Sequence, residues 1–174
     1  MDSIILAYPA TVTRDKSGRY LVRFRDLPEA LTDGADEKEA LEEAVDCLSE
    51  ALLSRVVDDE IIPEPSKPRR DEYRIAPEPT IALKSLLNSI VRAHKLSTAE
   101  LARRLKMDHK EARRILDPRH LTKFPRLQEV LRSLGHETWI AWHDASRQQR
   151  LLKAPGDRRS ATLRPKKMIE IGRR

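Results

Sequence analysis

The chain has 174 residues, enough for one medium domain or two small ones. It carries 34 Lys and Arg against 28 Asp and Glu, a net of +6, with one cysteine, so polyanion binding is allowed and an internal disulfide is excluded. No apolar run approaches the roughly 18 residues of a membrane span, and MDSIILAYPA lacks the basic start of a secretion signal. The single cysteine suits a reducing cytoplasm, which is the expected location.

In chain order, residues 4–13 alternate, with Ile4, Leu6, Tyr8, Ala10 and Val12 on one side, and Pro9 marks the run as an edge strand. Asp15-Lys16-Ser17-Gly18 is turn chemistry. Tyr20, Val22 and Phe24 then alternate with Leu21, Arg23 and Arg25, which completes a β-hairpin. A short third strand is expected near Glu29–Thr32, ending at Asp33-Gly34. Asp36 is placed to cap a long helix, with Glu39 as its capping-box partner. Leu41, Ala44, Val45, Leu48, Leu52 and Val56 form the apolar stripe of that helix, and acids fill most of the rest. This is a minimal α+β unit whose core is marginal at about 65 residues, so a partner or a second copy is expected to support it. Cys47 falls within the helix, where a structural, unreactive thiol is expected.

Residues 63–79 contain five prolines and no apolar period, the pattern of a semi-rigid linker. A helix follows over Ile81–Ala93. Leu96–His120 then reads as two short helices joined by a tight turn, the first capped by Ser97 or Thr98 with Glu100 as partner to Ser97, the second by Asp108. Pro125–Leu134 is a further helix, stopped by Gly135. Glu137–Trp142 is short, β-leaning and aromatic, with Trp139 and Trp142 expected in core or dimer contacts. The last residues, with paired cations at 158–159, 166–167 and 173–174, have the composition of a flexible tail, either simply solvated or a sequence-blind phosphate clamp.

Charge is segregated along the chain. Residues 1–66 hold 7 basic and 16 acidic side chains, residues 80–143 hold 13 and 6, and residues 144–174 hold 10 and 3. An acidic front joined to a basic rear predicts two domains that meet different partners. In the second helix of the pair, steps of about 100° gather Lys110, Arg113 and Arg114 on one face and Ala112, Ile115 and Leu116 on the other. A helix of that kind docks on a small core and offers cations to phosphates and base edges. The DNA-binding candidates are Ser97, Thr98, His109, Lys110, Arg113, Arg114, Arg119 and Lys123. Arg103 and Arg104 serve either phosphates or surface pairing. The five histidines lack ligand spacing, so no metal or other cofactor is expected.

Two stretches resemble one known arrangement. YPATVTRDKSGRYLVRFRDLPEALTDGADEKEALEEAVDCLSEALL, with the following IIPEPS, is similar to the HicB antitoxin domain of bacterial type II toxin–antitoxin systems. LSTAELARRLKMDHKEARRILDPRHLTKFPRLQEVLRSLG resembles the helix-turn-helix tail of many members of that family. The resemblance covers roughly residues 5–142. It implies a truncated RNase H-like fold in front, masking the active site of a small basic mRNA-cleaving toxin, HicA. Behind it would stand a helix-turn-helix unit that forms a homodimer, or a tetramer, and represses its own operon at an operator. The acidic residues Glu39, Glu42, Glu43, Asp46 and Glu50 become the candidate toxin-binding set, complementary to a basic RNA-cleaving surface. Where the family usually has glycine in the turn of the helix pair, this chain has Lys106, at a cost on the order of 1 kcal/mol for a left-handed residue.

The expected architecture is therefore an α+β domain over 1–66 (a small antiparallel sheet plus one helix), a linker over 67–79, an all-α helix-turn-helix domain over 80–143 and a basic tail over 144–174. No catalysis is expected: Asp15, Asp26 and Asp33 have no spacing that forces them together as a two-metal nuclease needs. The competing assignments are an orphan helix-turn-helix regulator with a ligand-sensing or oligomerising front domain, and a metal-dependent nuclease.

Overall fold

The first hairpin forms as its alternation predicts, with β1 (Tyr8–Arg14) antiparallel to β2 (Tyr20–Phe24). The computed structural model describes residues 6–138. In the turn, the Asp15 carboxylate accepts backbone N–H bonds from Ser17 at 2.8 Å and Arg19 at 3.0 Å, and Gly18 supplies the φ of 90°. The Ser17 hydroxyl on the same oxygen helps hold the Asp15 carboxyl below its ordinary value. β3 (Leu31–Gly34) pairs with β2, and α1 (Glu37–Val57) crosses one face of the sheet. Gly34 is required there, because a Cβ would lie 2.3 Å from the backbone nitrogen of Ala40 in the first turn of α1. Asp36 caps α1 by accepting from Glu39 N at 2.9 Å. The Glu39 carboxylate reaches back to Ala35 N at 2.8 Å, one residue before the expected capping-box partner.

Two expectations are corrected. The sheet order is β3-β2-β1-β4, in which β4 (Tyr73–Ile75) comes from the stretch expected to be a linker, and β1 is central rather than an edge. Pro9 is tolerated because its carbonyl, and with it the face lacking an N–H, points toward Arg25, one residue past the end of β2. The ladder therefore loses a donor only at its margin. The proline-rich stretch is pinned by side chains that bond its backbone: Tyr8 Oη donates to Pro63 O at 2.9 Å and Arg25 Nη2 to Lys67 O at 2.9 Å, while Asp26 Oδ2 accepts from Ser66 N at 2.8 Å. Burial, then the nearby Asp26 charge, pushes the Tyr8 phenol up to about 12. These anchors substitute for the missing period.

Ala40, Ala44, Leu48 and Leu52 of α1 close over Tyr8, Ala10, Val22, Phe24, Tyr73 and Ile75 to form the first core. The helical region follows: α2 (Pro79–Ala93), α3 (Thr98–Arg104), α4 (His109–Leu116) and α5 (Phe124–Ser133). Its core is Leu83, Leu87, Ile90, Ile115, Leu127, Val130 and Leu131. The two units touch through α1 and α2, where Ile81 packs on the first core and Glu78 N donates to the buried Ser49 hydroxyl at 3.0 Å. The small front core thus gains cover from within the same chain.

α1, α2, α3 and α5 end in the same turn. Glu60 N bonds Arg55 O, Leu96 N bonds Val91 O, Met107 N bonds Ala102 O, and His136 N bonds Leu131 O. The left-handed residue in each is Asp59, Lys95, Lys106 and Gly135 respectively. Lys106, at φ 51°, therefore adopts the geometry that its place in the turn demands. The reading of Glu137–Trp142, both tryptophans and the basic tail lies outside the described residues past Thr138. Among the described residues no helix is long and apolar enough to cross a membrane.

Candidate nucleic-acid and partner interfaces

α4 is short and strongly two-faced. Asp108 caps it by accepting from Glu111 N at 2.7 Å, which fixes its first turn. Ala112 and Ile115 are buried against the helical core, which leaves His109, Lys110, Arg113 and Arg114 exposed on the far side. Glu111 would compensate those cations, but it is engaged elsewhere: Arg126 of α5 holds its carboxylate at 2.6 Å. None of the four forms an ion pair with a carboxylate of the described residues. The result is a cationic face that no carboxylate of the described residues neutralises.

The far end of α4 is fastened from below by α2. Lys84, 1% exposed, sends its ammonium to the carbonyls of Asp117 and His120, and Asn88 Nδ2 donates to Lys84 O at 3.0 Å and Leu116 O at 3.5 Å. Burial pushes the Lys84 amine below its ordinary value, and the Asp117 charge opposes that shift. Arg119 and Lys123 follow in the loop this lysine holds, and both are exposed. At α3, Ser97 forms the expected capping box: its hydroxyl accepts from Glu100 N at 3.2 Å, and its own N–H donates to Glu100 Oε2 at 3.0 Å. The Glu100 carboxyl is held below its usual range by those Ser97 bonds. This carboxylate stands at the helix start where a phosphate contact was expected, so Ser97 serves as a cap, and Thr98 beside it is half-buried.

Across the molecule, α1 presents the opposite charge. Glu39, Glu43, Asp46 and Glu50 fall within about 60° of one another at 100° per residue, with Glu42 at their rim, and all five are exposed. Lys38 reaches Glu42 at 3.5 Å, too exposed a pair to neutralise the stripe. Cys47 is half-buried in α1, and burial pushes its thiol up, away from reactivity. Between the end of α1 and α2 lies a cleft of about 680 Å³ lined by Val56, Ile62, Val91 and Leu96, with Arg92 paired to Asp59 nearby. Among the described residues, no group of three or more His, Cys, Asp or Glu side chains is placed to hold a metal ion.

Residues 7–85 match the family model described as a HicB_like antitoxin of bacterial toxin-antitoxin systems. Antitoxin HicB 1 of Photorhabdus laumondii is 37% identical over 136 residues, 78% of this chain and 86% of its own length. Antitoxin HicB of Escherichia coli is 36% identical over 132 residues, 76% of this chain and 96% of its own length. The chain belongs to the HicB-like antitoxin family. The family match begins just before β1 and ends inside α2, so it takes in β4 and the anchored proline-rich stretch along with the sheet. In this HicB-like chain, Lys84 and Asn88 hold the end of α4 and the loop after it, and the sequence reading missed both. A signal was present: at 100° per residue Lys84, Leu87 and Val91 fall on one side of α2, so the lysine lies on the apolar stripe.

Proposed function

We propose that the chain is an antitoxin with two separate working surfaces. The acidic outer face of α1, through Glu39, Glu42, Glu43, Asp46 and Glu50, meets a small basic HicA-like mRNA-cleaving toxin and masks its active site. Opposite charge speeds that encounter and repels competing RNA. The helical unit acts as a helix-turn-helix domain, with α4 as its recognition helix. It binds operator DNA as a homodimer and represses its own operon. His109, Lys110, Arg113 and Arg114 face the major groove, Arg119 and Lys123 hold phosphates, and Ser97 and Thr98 mark the start of the supporting helix. A two-fold dimer favours a palindrome with half-sites about 34–36 Å apart. The chain itself catalyses nothing.

The observation that carries this proposal is the exposed, unneutralised cationic face of α4, set on a different unit from the acidic stripe of α1. The test is a crossed pair of full-length variants. Arg113→Ala with Arg114→Ala should weaken operator binding about a hundredfold and leave toxin inhibition intact, while Glu43→Lys with Asp46→Lys should do the reverse. Loss of both functions in both variants would reject two separable surfaces. The cleft beside Arg92 supports a second reading, a ligand-sensing regulator, which would be favoured if no gene for a short basic protein lies next to this one.

A further inference from the structure

The loop from Asp117 to Lys123 carries a residue that the phosphate contacts leave unused. Leu121 is 96% exposed, against 69% for Ile61, 53% for Leu31 and 50% for Val57. A single surface leucine is ordinary. This one is set apart by how firmly its position is fixed. The Lys84 ammonium bonds the carbonyls of Asp117 and His120, Asp117 Oδ1 accepts from Arg119 N at 2.9 Å, and His120 N bonds Asp117 O at 3.2 Å. The turn is therefore preset, and Leu121 leaves it into solvent with exposed Arg119, His120 and Lys123 around it. Asn88 ties the last turn of α4 to the same helix, so the loop and the cationic face share one foundation.

The surroundings select the partner. An apolar protein socket or a lipid interior would have to strip water from Arg119 and Lys123 without returning opposite charge. Duplex DNA supplies phosphates for the cations and, between them, deoxyribose rings and thymine methyls for an apolar side chain. We infer that Leu121 is an apolar DNA contact, packing on a sugar or thymine methyl beside the phosphates held by Arg119 and Lys123. The inference rests on the DNA-binding function proposed above.

The experiment uses the full-length protein with two labelled duplexes, one spanning the DNA immediately upstream of the coding sequence and one scrambled to the same length. Leu121→Ala is benign for folding, since the side chain buries almost nothing. It should weaken binding to the upstream duplex by about five- to tenfold at fixed salt, as expected for loss of a partial apolar contact. The slope of affinity against salt should not change, because no counterion-releasing charge is removed, whereas Lys123→Ala should lower that slope by about 1. Unchanged affinity in Leu121→Ala, beside lost affinity in the Arg113→Ala, Arg114→Ala variant, overturns the contact and leaves the DNA function standing. A fall in oligomeric mass on Leu121→Ala also overturns it and assigns the leucine to a contact between copies. If the parent protein binds neither duplex, the DNA function itself fails and the contact goes with it.

Discussion

α1 and α4 are built by the same rules and present opposite charge. Each starts with an aspartate cap whose oxygen accepts from the backbone N–H of a glutamate three residues on, Asp36 with Glu39 and Asp108 with Glu111. Each buries a largely apolar face containing alanine. The difference lies on the outside, where α1 shows carboxylates and α4 shows guanidinium and ammonium groups. Caps and apolar spacing determine that a helix forms and how it docks; the solvent face remains free to carry a field. On the proposed reading, the choice of partner is encoded on residues that do little for stability.

The sharpest way to break the comparison is to erase the α4 field. Arg113→Ala with Arg114→Ala should cost about a hundredfold in operator affinity and reduce the salt slope by about 2, measured by fluorescence anisotropy at several salt concentrations. Thermal stability should stay within about 0.5 kcal/mol of the parent, because both side chains are exposed. Inverting the α1 field is next. Glu43→Lys with Asp46→Lys should slow toxin association by about ten- to a hundredfold at low salt, with the deficit shrinking as salt rises, as stopped-flow measurements would reveal.

A third variant tests support rather than charge. Lys84→Met removes the donor to Asp117 O and His120 O, leaving Asp117 O only its bond from His120 N, and should destabilise the fold by about 1–3 kcal/mol. Operator affinity should fall about tenfold through the displaced loop while the exposed cations remain. Its pH signature has a defined sign. Burial lowers the Lys84 amine in the fold, so between that lowered value and the ordinary 10.5 the unfolded chain holds more protons, and stability rises with pH. Lys84→Met should lack that alkaline gain in a thermal-melt series. The smallest effect concerns the turn: Lys106→Gly should raise stability by about 0.5–1 kcal/mol by relieving a left-handed lysine, with no change in toxin inhibition.

The legible parts of the sequence were those governed by short-range rules. The hairpin followed from alternation around Asp15–Gly18, and the caps Asp36, Ser97 and Asp108 followed from side chains that bond backbone within three residues. The cationic face of α4 followed from a 100° step, and the acids of α1 from what its apolar stripe left over. The hidden parts depended on distant partners. β4 is three residues long inside a proline-rich stretch, too short for a period, and exists because β1 offers it an edge. Pro9 suggested an edge strand, because only tertiary placement reveals that its missing donor falls beyond the end of β2. Lys84 went unnoticed, although its neighbours on α2 are apolar, because the carbonyls it serves lie more than thirty residues away.

The closing strand also sets a timetable. Tyr8 must wait for Ile75 before its ladder is complete, so a growing chain leaves the ribosome with one margin of its front sheet bare until the tether of prolines has emerged. Joining such remote segments is entropically slow, and a bare margin is a template for stray strands. A newly made copy thus passes through an interval of vulnerability to aggregation and to proteases, which ends only when the last strand docks.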